Sequence, residues 1–235
     1  MSSELIRYEL RENVAVLMMD DDKANALSPV MITALNDALD RAESEAKAVL
    51  LVGREKRLSA GFDLKVMTES FDAMSSLVLS GANLMLRLYL YPRPVVIACT
   101  GHALAAGAIL LLVADTRIGA SGDFKIGLNE VSIQMTLPVF AMELARDRLS
   151  KRHFSSATTQ ARIYDPHGAH DAGYLDRVVP ADQLFNIAFE AARKLAGLPD
   201  PAFPNTKLRE RSATVQRIRE TLEADIAQFA SSSGA

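Results

Sequence analysis

The chain has one cysteine and no tryptophan, little imbalance of charge, and no apolar run of membrane length. Each scarcity excludes something. A sole thiol, Cys99, cannot close an internal disulfide, and four scattered histidines beside it make no metal-ligand spacing. A formal net charge of −3 gives no basis for a nucleic-acid or anionic-membrane partner. The most apolar segment, near 104–114, is too short to span a bilayer and stops at Asp115. Met1-Ser2-Ser3-Glu4 lacks the basic and apolar regions of a secretory signal, so a soluble cytoplasmic protein is the expectation. What remains is 235 residues, 49% hydrophobic and 23% charged, enough for one large α/β domain with or without a small appendage.

The patterning supports that class. Ile6, Tyr8 and Leu10 alternate with Arg7, Glu9 and Arg11, and Val14, Val16 and Met18 continue the pattern after Glu12-Asn13, so a hairpin-like pair of strands is expected. Ser28-Pro29 reads as an N-cap followed by a first-turn proline, and Met31, Leu35, Leu39 and Ala42 recur at helical spacing. Residues 48–52 and 95–99 are continuous apolar runs ending at Gly53 and Gly101, as in strands covered on both faces. Between them a helix over 70–91 is stopped by Pro92 and Pro94. Helix 104–114 is apolar on nearly every side and belongs in the interior. Short strands are expected at 117–119, 124–126 and 175–179. Helices dominate from Pro138, with a break at Asp165-Pro166, a last amphipathic helix at 205–230, and a frayed tail over 231–234. The alternation argues for right-handed βαβ crossovers in an α/β fold.

The loops after strands 48–52 and 95–99 leave strand C-terminal ends, where such sheets bind ligands. Each carries small residues, Ser59-Ala60-Gly61 in one and Ala105-Ala106-Gly107 in the other. The second group opens a helix, whose free N–H groups favour an anion; two such donors aimed at one point form an oxyanion hole. The alternative is that Ala and Gly only permit close helix packing. Further on, Gly127-Leu128-Asn129-Glu130 sets a lone carboxylate before Val131, Ile133 and Met135. If buried, it loses hydration and its pKa rises toward neutrality, as proton transfer at carbon requires. Otherwise it caps a turn or faces water. His102 reads as a ligand-side group or as a loop hydrogen-bonder; His153, His167 and His170 read as surface residues, and Cys99 as inert packing.

Five ordered motifs then carry a resemblance. Lys23-Ala24-Asn25-Ala26-Leu27, Ser59-Ala60-Gly61-Phe62-Asp63-Leu64, the run from Pro94 to Gly107, Ala114-Asp115-Thr116-Arg117-Ile118, and Ala172-Gly173-Tyr174-Leu175-Asp176 with Val178-Val179-Pro180 resemble the crotonase, or enoyl-CoA hydratase/isomerase, family. The likeness covers about residues 4–195. It implies a ClpP-like fold of repeated ββα units, here a core over 1–190, with an α-helical C-terminal region over 191–235 used in oligomerisation. It also implies a homotrimer or a dimer of trimers, an acyl-CoA thioester substrate, no cofactor beyond the coenzyme A of that substrate, and no nucleic-acid or membrane partner.

Carried over by position, the Phe62 and Ala106 peptide N–H groups become the oxyanion-hole donors, with the Ala106 methyl narrowing the hole. Lys23, Ala24, Ser59, Ala60, Asp63 and Leu64 fall where the family lines its coenzyme A channel, and Gly107 and Ile109, in the turn and helix that follow the hole, are expected to bind the substrate with them. Family hydratases carry two glutamates; those positions fall on Ile109 and Glu130. One carboxylate suffices to move a proton from C2 to C4 of a 3-enoyl thioester, and Gly127-Leu128-Asn129-Glu130 with Leu86-Arg87-Leu88-Tyr89 is similar to the mitochondrial-type Δ3,Δ2-enoyl-CoA isomerases. Isomerisation with Glu130 as the acid/base is therefore expected. The rivals are hydration, with Glu130 alone or with Glu69 or Asp72; thioester hydrolysis or decarboxylation; a non-catalytic acyl-CoA-binding protein; and serine hydrolysis through Ser59 or Ser132 with His102. Met67, Met85 and Met135 are either acyl-tunnel walls or core filling, and Arg209, Arg211, Arg217 and Arg219 a solvated helix face or a contact to a subunit or to coenzyme A phosphate.

Overall fold

In the computed structural model residues 5–232 are described. The antiparallel pair β1 (Ile6–Arg11) and β2 (Val14–Met19) opens the chain, and both turn residues, Glu12 and Asn13, take positive φ as a tight hairpin requires. Helix α1 (Pro29–Glu45) starts where Ser28 Oγ accepts the Met31 N–H at 3.3 Å. Three strand–strand–helix units follow. The first is β3 (Ala48–Val52), β4 (Lys56–Ser59), the single turn α2 (Leu64–Met67) and α3 (Phe71–Tyr89). The second is β5 (Val95–Cys99), β6 (Gly101–Leu104) and α4 (Ala106–Val113). The third is β7 (Thr116–Ala120), β8 (Ile126–Gly127) and α5 (Val139–Arg148). Short helices α6 (Phe154–Ala157) and α7 (Pro166–Ala172), strand β9 (Arg177–Val179), and helices α8 (Leu184–Leu195) and α9 (Ala202–Ser232) complete the chain. The repeated ββα core with a helical C-terminal region is the architecture expected from the resemblance.

The first strand of each unit joins one sheet of order β1-β2-β3-β5-β7-β9, parallel from β2 onward. The second strands form a separate parallel sheet, β4-β6-β8. Strands β3 and β5 are buried along their whole length. On one face Val49, Leu51, Val95, Ile97 and Cys99 share a core with α1, α3 and α4. On the other, Leu50, Val52, Val96 and Ala98 pack with Leu184, Ala188, Phe189 and Ala192 of α8. This double cover is why the runs are unbroken rather than alternating. Cys99 is buried packing, its thiol pushed up to about 12 by burial. All eight residues of α4 are buried, as its all-round apolar surface requires.

The sequence reading missed the second sheet. Segment 56–59 looks like loop, yet it is β4, and Gly101 starts β6 where it was expected to end a strand; α4 accordingly begins at Ala106 rather than 104. The cause is a close crossing. A Cβ on Gly101 would lie 2.0 Å from the Lys56 carbonyl oxygen, so only glycine lets the chain pass from one sheet straight into the other. Strand β8 is a two-residue remnant of the strand expected at 124–126, β9 begins at Arg177 rather than 175, and α9 begins at Ala202. Of the expected tail, Ser231 and Ser232 end α9, while Ser233 and Gly234 lie outside the described residues.

Helix α9 packs on α3 and α5. Asp115, between α4 and β7, accepts from the Val95 N–H (2.7 Å), Lys207 Nζ (2.7 Å) and Arg211 Nη2 (2.8 Å). Arg211 also donates to the Tyr89 carbonyl at 2.6 Å and lies over the Tyr89 ring. Burial pulls the Lys207 ammonium down to about 8. Arg211 therefore does not belong to the solvated face expected for it; Arg209, Arg217 and Arg219 do. No helix among the described residues is long and apolar enough to cross a membrane.

Candidate active site

Three segments far apart in sequence meet because each leaves the C-terminal end of a strand in the small sheet. Residues 60–62 follow β4, 105–106 follow β6, and 128–130 follow β8. The ligand loops thus continue from the second strand of each unit, not from the strands at 48–52 and 95–99 as expected. Parallel pairing brings those ends level: Ser59 pairs with Ala103, and Leu104 with Gly127. Hydrogen bonds then fix the loops. The Ala105 N–H donates to the Gly127 carbonyl at 3.1 Å, and Ser59 Oγ donates to the Asn25 carbonyl (2.7 Å) while accepting the Gly61 N–H (3.1 Å). A Cβ on Gly61 (φ 97°) would sit 2.9 Å from Ala105 Cβ and 3.3 Å from the Ala106 nitrogen. The two loops expected to face one another therefore touch.

Two peptide N–H groups point out of this junction. The Leu27–Phe62 bridge uses the Gly61 carbonyl and the Asp63 N–H, which turns the intervening Phe62 N–H to the other side. Ala106 opens α4, so its N–H has no carbonyl one turn back to bond. Ala105 before it holds φ 50° and ψ −126°, a conformation a non-glycine residue adopts only when its surroundings enforce it.

Beside the junction lies a cavity of about 190 Å³. Ala60, Phe62 and Leu64 wall it from the first loop, Ala105 and Ile109 from the second, and Asn129, Glu130, Ile133 and Met135 from the third. Met67, Val78, Pro138 and Phe140 complete it. Glu130 is the one ionisable side chain among these walls. It is 8% exposed, and its Oε2 has no hydrogen-bond partner among the described residues. Burial pushes its carboxyl up to about 7, against a weaker contact from its own N–H that pulls it down. Burial first, then Tyr164 and the Glu130 charge, push the neighbouring Tyr174 phenol up as well. Of the apolar residues after Glu130, Val131 and Ile133 are about half exposed, while Ile133 and Met135 wall the cavity beside it. Ile109, Val78 and Phe140, brought in by α4, α3 and α5, supply further apolar walls to the same cavity.

Of the residues singled out in the sequence, Ala60, Phe62, Leu64, Ile109 and Glu130 wall the cavity together; Ala106 and Gly107 do not wall it but lie in α4 between its walls Ala105 and Ile109. Lys23, Ala24, Ser59 and Asp63 do not wall it. Ser59 is fully buried with its hydroxyl committed to Asn25 and Gly61, Asp63 caps α2 by accepting the Lys65 N–H (2.9 Å), and Ala24 reaches the site through its carbonyl, which accepts the Ala60 N–H at 3.0 Å. Lys23 is exposed, its carbonyl held by Arg54 at 2.7 Å. Met67 and Met135 are cavity walls; Met85 is core. Glu69 and Asp72 are exposed and off the cavity. Neither serine proposed as a nucleophile meets His102: Ser132 donates to the Asn129 carbonyl (2.7 Å), and His102 Nδ1 accepts the Lys125 N–H (2.9 Å). The reading missed Asn129, whose buried amide oxygen also lacks a partner among the described residues, and Val78 and Phe140. Only adjacence to Glu130 signalled the first, and nothing local signalled the other two.

Comparison with known proteins gives the family. The family profile described as enoyl-CoA hydratase/isomerase matches residues 9–233. A structure titled as an enoyl-CoA hydratase/isomerase family protein from Pseudomonas syringae is 44% identical, covers 98% of this chain and 99% of its own, and superposes with a TM-score of 0.92. Human mitochondrial enoyl-CoA delta isomerase 1 is 28% identical over 232 residues, 97% of this chain and 77% of its own length. A protein of Thermus thermophilus named a putative enoyl-CoA hydratase is 30% identical over 198 residues, 82% of this chain and 78% of its own. The chain belongs to the enoyl-CoA hydratase/isomerase, or crotonase, family.

Proposed function

We propose that this protein shifts the double bond of a 3-enoyl-CoA to the 2-position with Glu130 as its sole acid/base. The observation that carries the reading is the lining of the cavity around that carboxylate: Ile109 is aliphatic, and Glu130 is alone among ionisable groups in the cavity. Hydration must deliver a water oxygen to C3 and a proton to C2, labour that two carboxylates divide. Isomerisation needs one. The ionised Glu130 removes a C2 proton acidified by the thioester, the electron pair moves onto the thioester oxygen as a dienolate, and the protonated Glu130 returns the proton to C4. The Phe62 and Ala106 N–H groups hold that oxygen, where charge develops in the transition state. A carboxyl near 7 can act in both directions at neutral pH. Ile109 and Phe140 keep bulk water from the dienolate.

The human relative is named an isomerase and the bacterial one a putative hydratase, and the aliphatic residue at 109 favours the former. Purified protein given 3-hexenoyl-CoA should produce the conjugated 2-enoyl product, seen by its enone absorbance, and should add water to crotonyl-CoA far more slowly. Hydration without isomerisation overturns the proposal. The same reading carries assembly as a trimer or a pair of trimers, which light scattering checks.

A further inference from the structure

The cavity that holds the reacting carbons also has an end. Val78 on α3 and Phe140 on α5 are each 1% exposed and belong to the main core, and Pro138 is buried beside them. At the other end Leu64 is 65% and Ile133 47% exposed. The passage is thus open between Leu64 and Ile133 and shut at Phe140. Its volume of about 190 Å³ is limiting. Taking a methylene to need roughly the 30 Å³ that a water takes in the liquid, the space holds about six carbons. The first of these is the thioester carbon, placed by the Phe62 and Ala106 N–H groups.

We propose that Phe140 and Val78 are the specificity-determining residues of a short-chain site, one that accepts acyl groups of about six carbons and discriminates against longer ones. The claim rests on the acyl-CoA reading above and deepens it. Each methylene drawn from water into the cavity strengthens binding about fourfold. That gain continues from butyryl to hexanoyl and then reverses, because further carbons must press into a close-packed wall at a cost in binding. Met67 and Met135, half-buried along the sides, flex around the chain without lengthening the channel.

The test measures binding of saturated butyryl-, hexanoyl-, octanoyl-, decanoyl- and dodecanoyl-CoA by calorimetry, and kcat/KM for the corresponding 3-enoyl-CoAs from hexenoyl upward. The expected profile rises to hexanoyl and breaks there. Phe140→Leu and Val78→Ala, each checked for folding by circular dichroism, should move the break to octanoyl or beyond and improve octanoyl relative to hexanoyl by about fourfold or more. Dodecanoyl handled as well as hexanoyl by the parent, or an unmoved profile in both folded variants, overturns the length assignment. A binding break at hexanoyl without isomerisation would leave that assignment standing and remove the reaction; isomerisation with no break would do the reverse.

Discussion

Replacing Glu130 by glutamine should abolish the proposed chemistry and stabilise the protein, and the two effects have one origin. A carboxyl at about 7 in the folded protein against an ordinary 4.5 is a group whose ionised form is disfavoured by folding. The sign follows from proton binding: between those two values the folded state holds the proton and the unfolded state has lost it, so stability falls as pH rises. Below the unfolded value nothing is lost; above the folded value the full penalty, about 3 kcal/mol, persists. Roughly 2–3 kcal/mol of it accrues between pH 5 and pH 8. Glutamine cannot ionise, so Glu130→Gln should gain stability relative to the parent by about that amount on going from pH 5 to pH 8. The comparison across pH removes the fixed cost of burying an amide. In a chain of this length the gain corresponds to roughly 5–10 °C in Tm at the higher pH. Urea unfolding of both proteins at the two pH values reads the difference, and kcat should fall by about 10²–10⁴-fold. A parent and variant with parallel stability profiles would refute the claim that this carboxyl is buried and perturbed.

The parent's kcat/KM should rise through about pH 7 as Glu130 ionises, and a midpoint near the ordinary glutamate value would remove it as the base. Asp115→Asn strands the Lys207 and Arg211 charges in the core; it should cost about 3–5 kcal/mol in chemical denaturation and raise protease cleavage within α9, and a loss under about 1 kcal/mol would contradict the anchoring role. Gly107→Ala places a methyl 2.2 Å from the Ser59 carbonyl oxygen, so β4 and α4 must part; kcat should fall at least tenfold while the protein stays folded by circular dichroism. Ile109→Glu adds a second carboxyl to the cavity and should raise the ratio of crotonyl-CoA hydration to 3-hexenoyl-CoA isomerisation; an unchanged ratio argues against the role given to the aliphatic residue.

How much was legible in the sequence depended on the range of the forces involved. Long periodic elements such as α1 and α3, and the doubly covered β3 and β5, declare themselves because burial repeats along the chain. Strands β4, β6 and β8 have four, four and two residues, too few for a period, and exist because they pair with one another. Glu130 and Ile109 were found through motif position. Their environment was not, since other walls of the same cavity, Val78 and Phe140, come from other helices. Arg211 shows the same limit: its neighbours in sequence are solvated, and only its meeting with Asp115, 96 residues earlier, makes it interior.

The small three-stranded sheet has a consequence for how chemistry can change on this scaffold. Donors that belong to the peptide group survive any substitution that keeps the strands in register, so on the proposed reading the grip on a carbonyl is inherited with the fold. On the proposed reading the identity of the reaction rests on what stands at positions 109 and 130. Proteins alike in shape and divided in name between isomerase and hydratase are what such an arrangement produces.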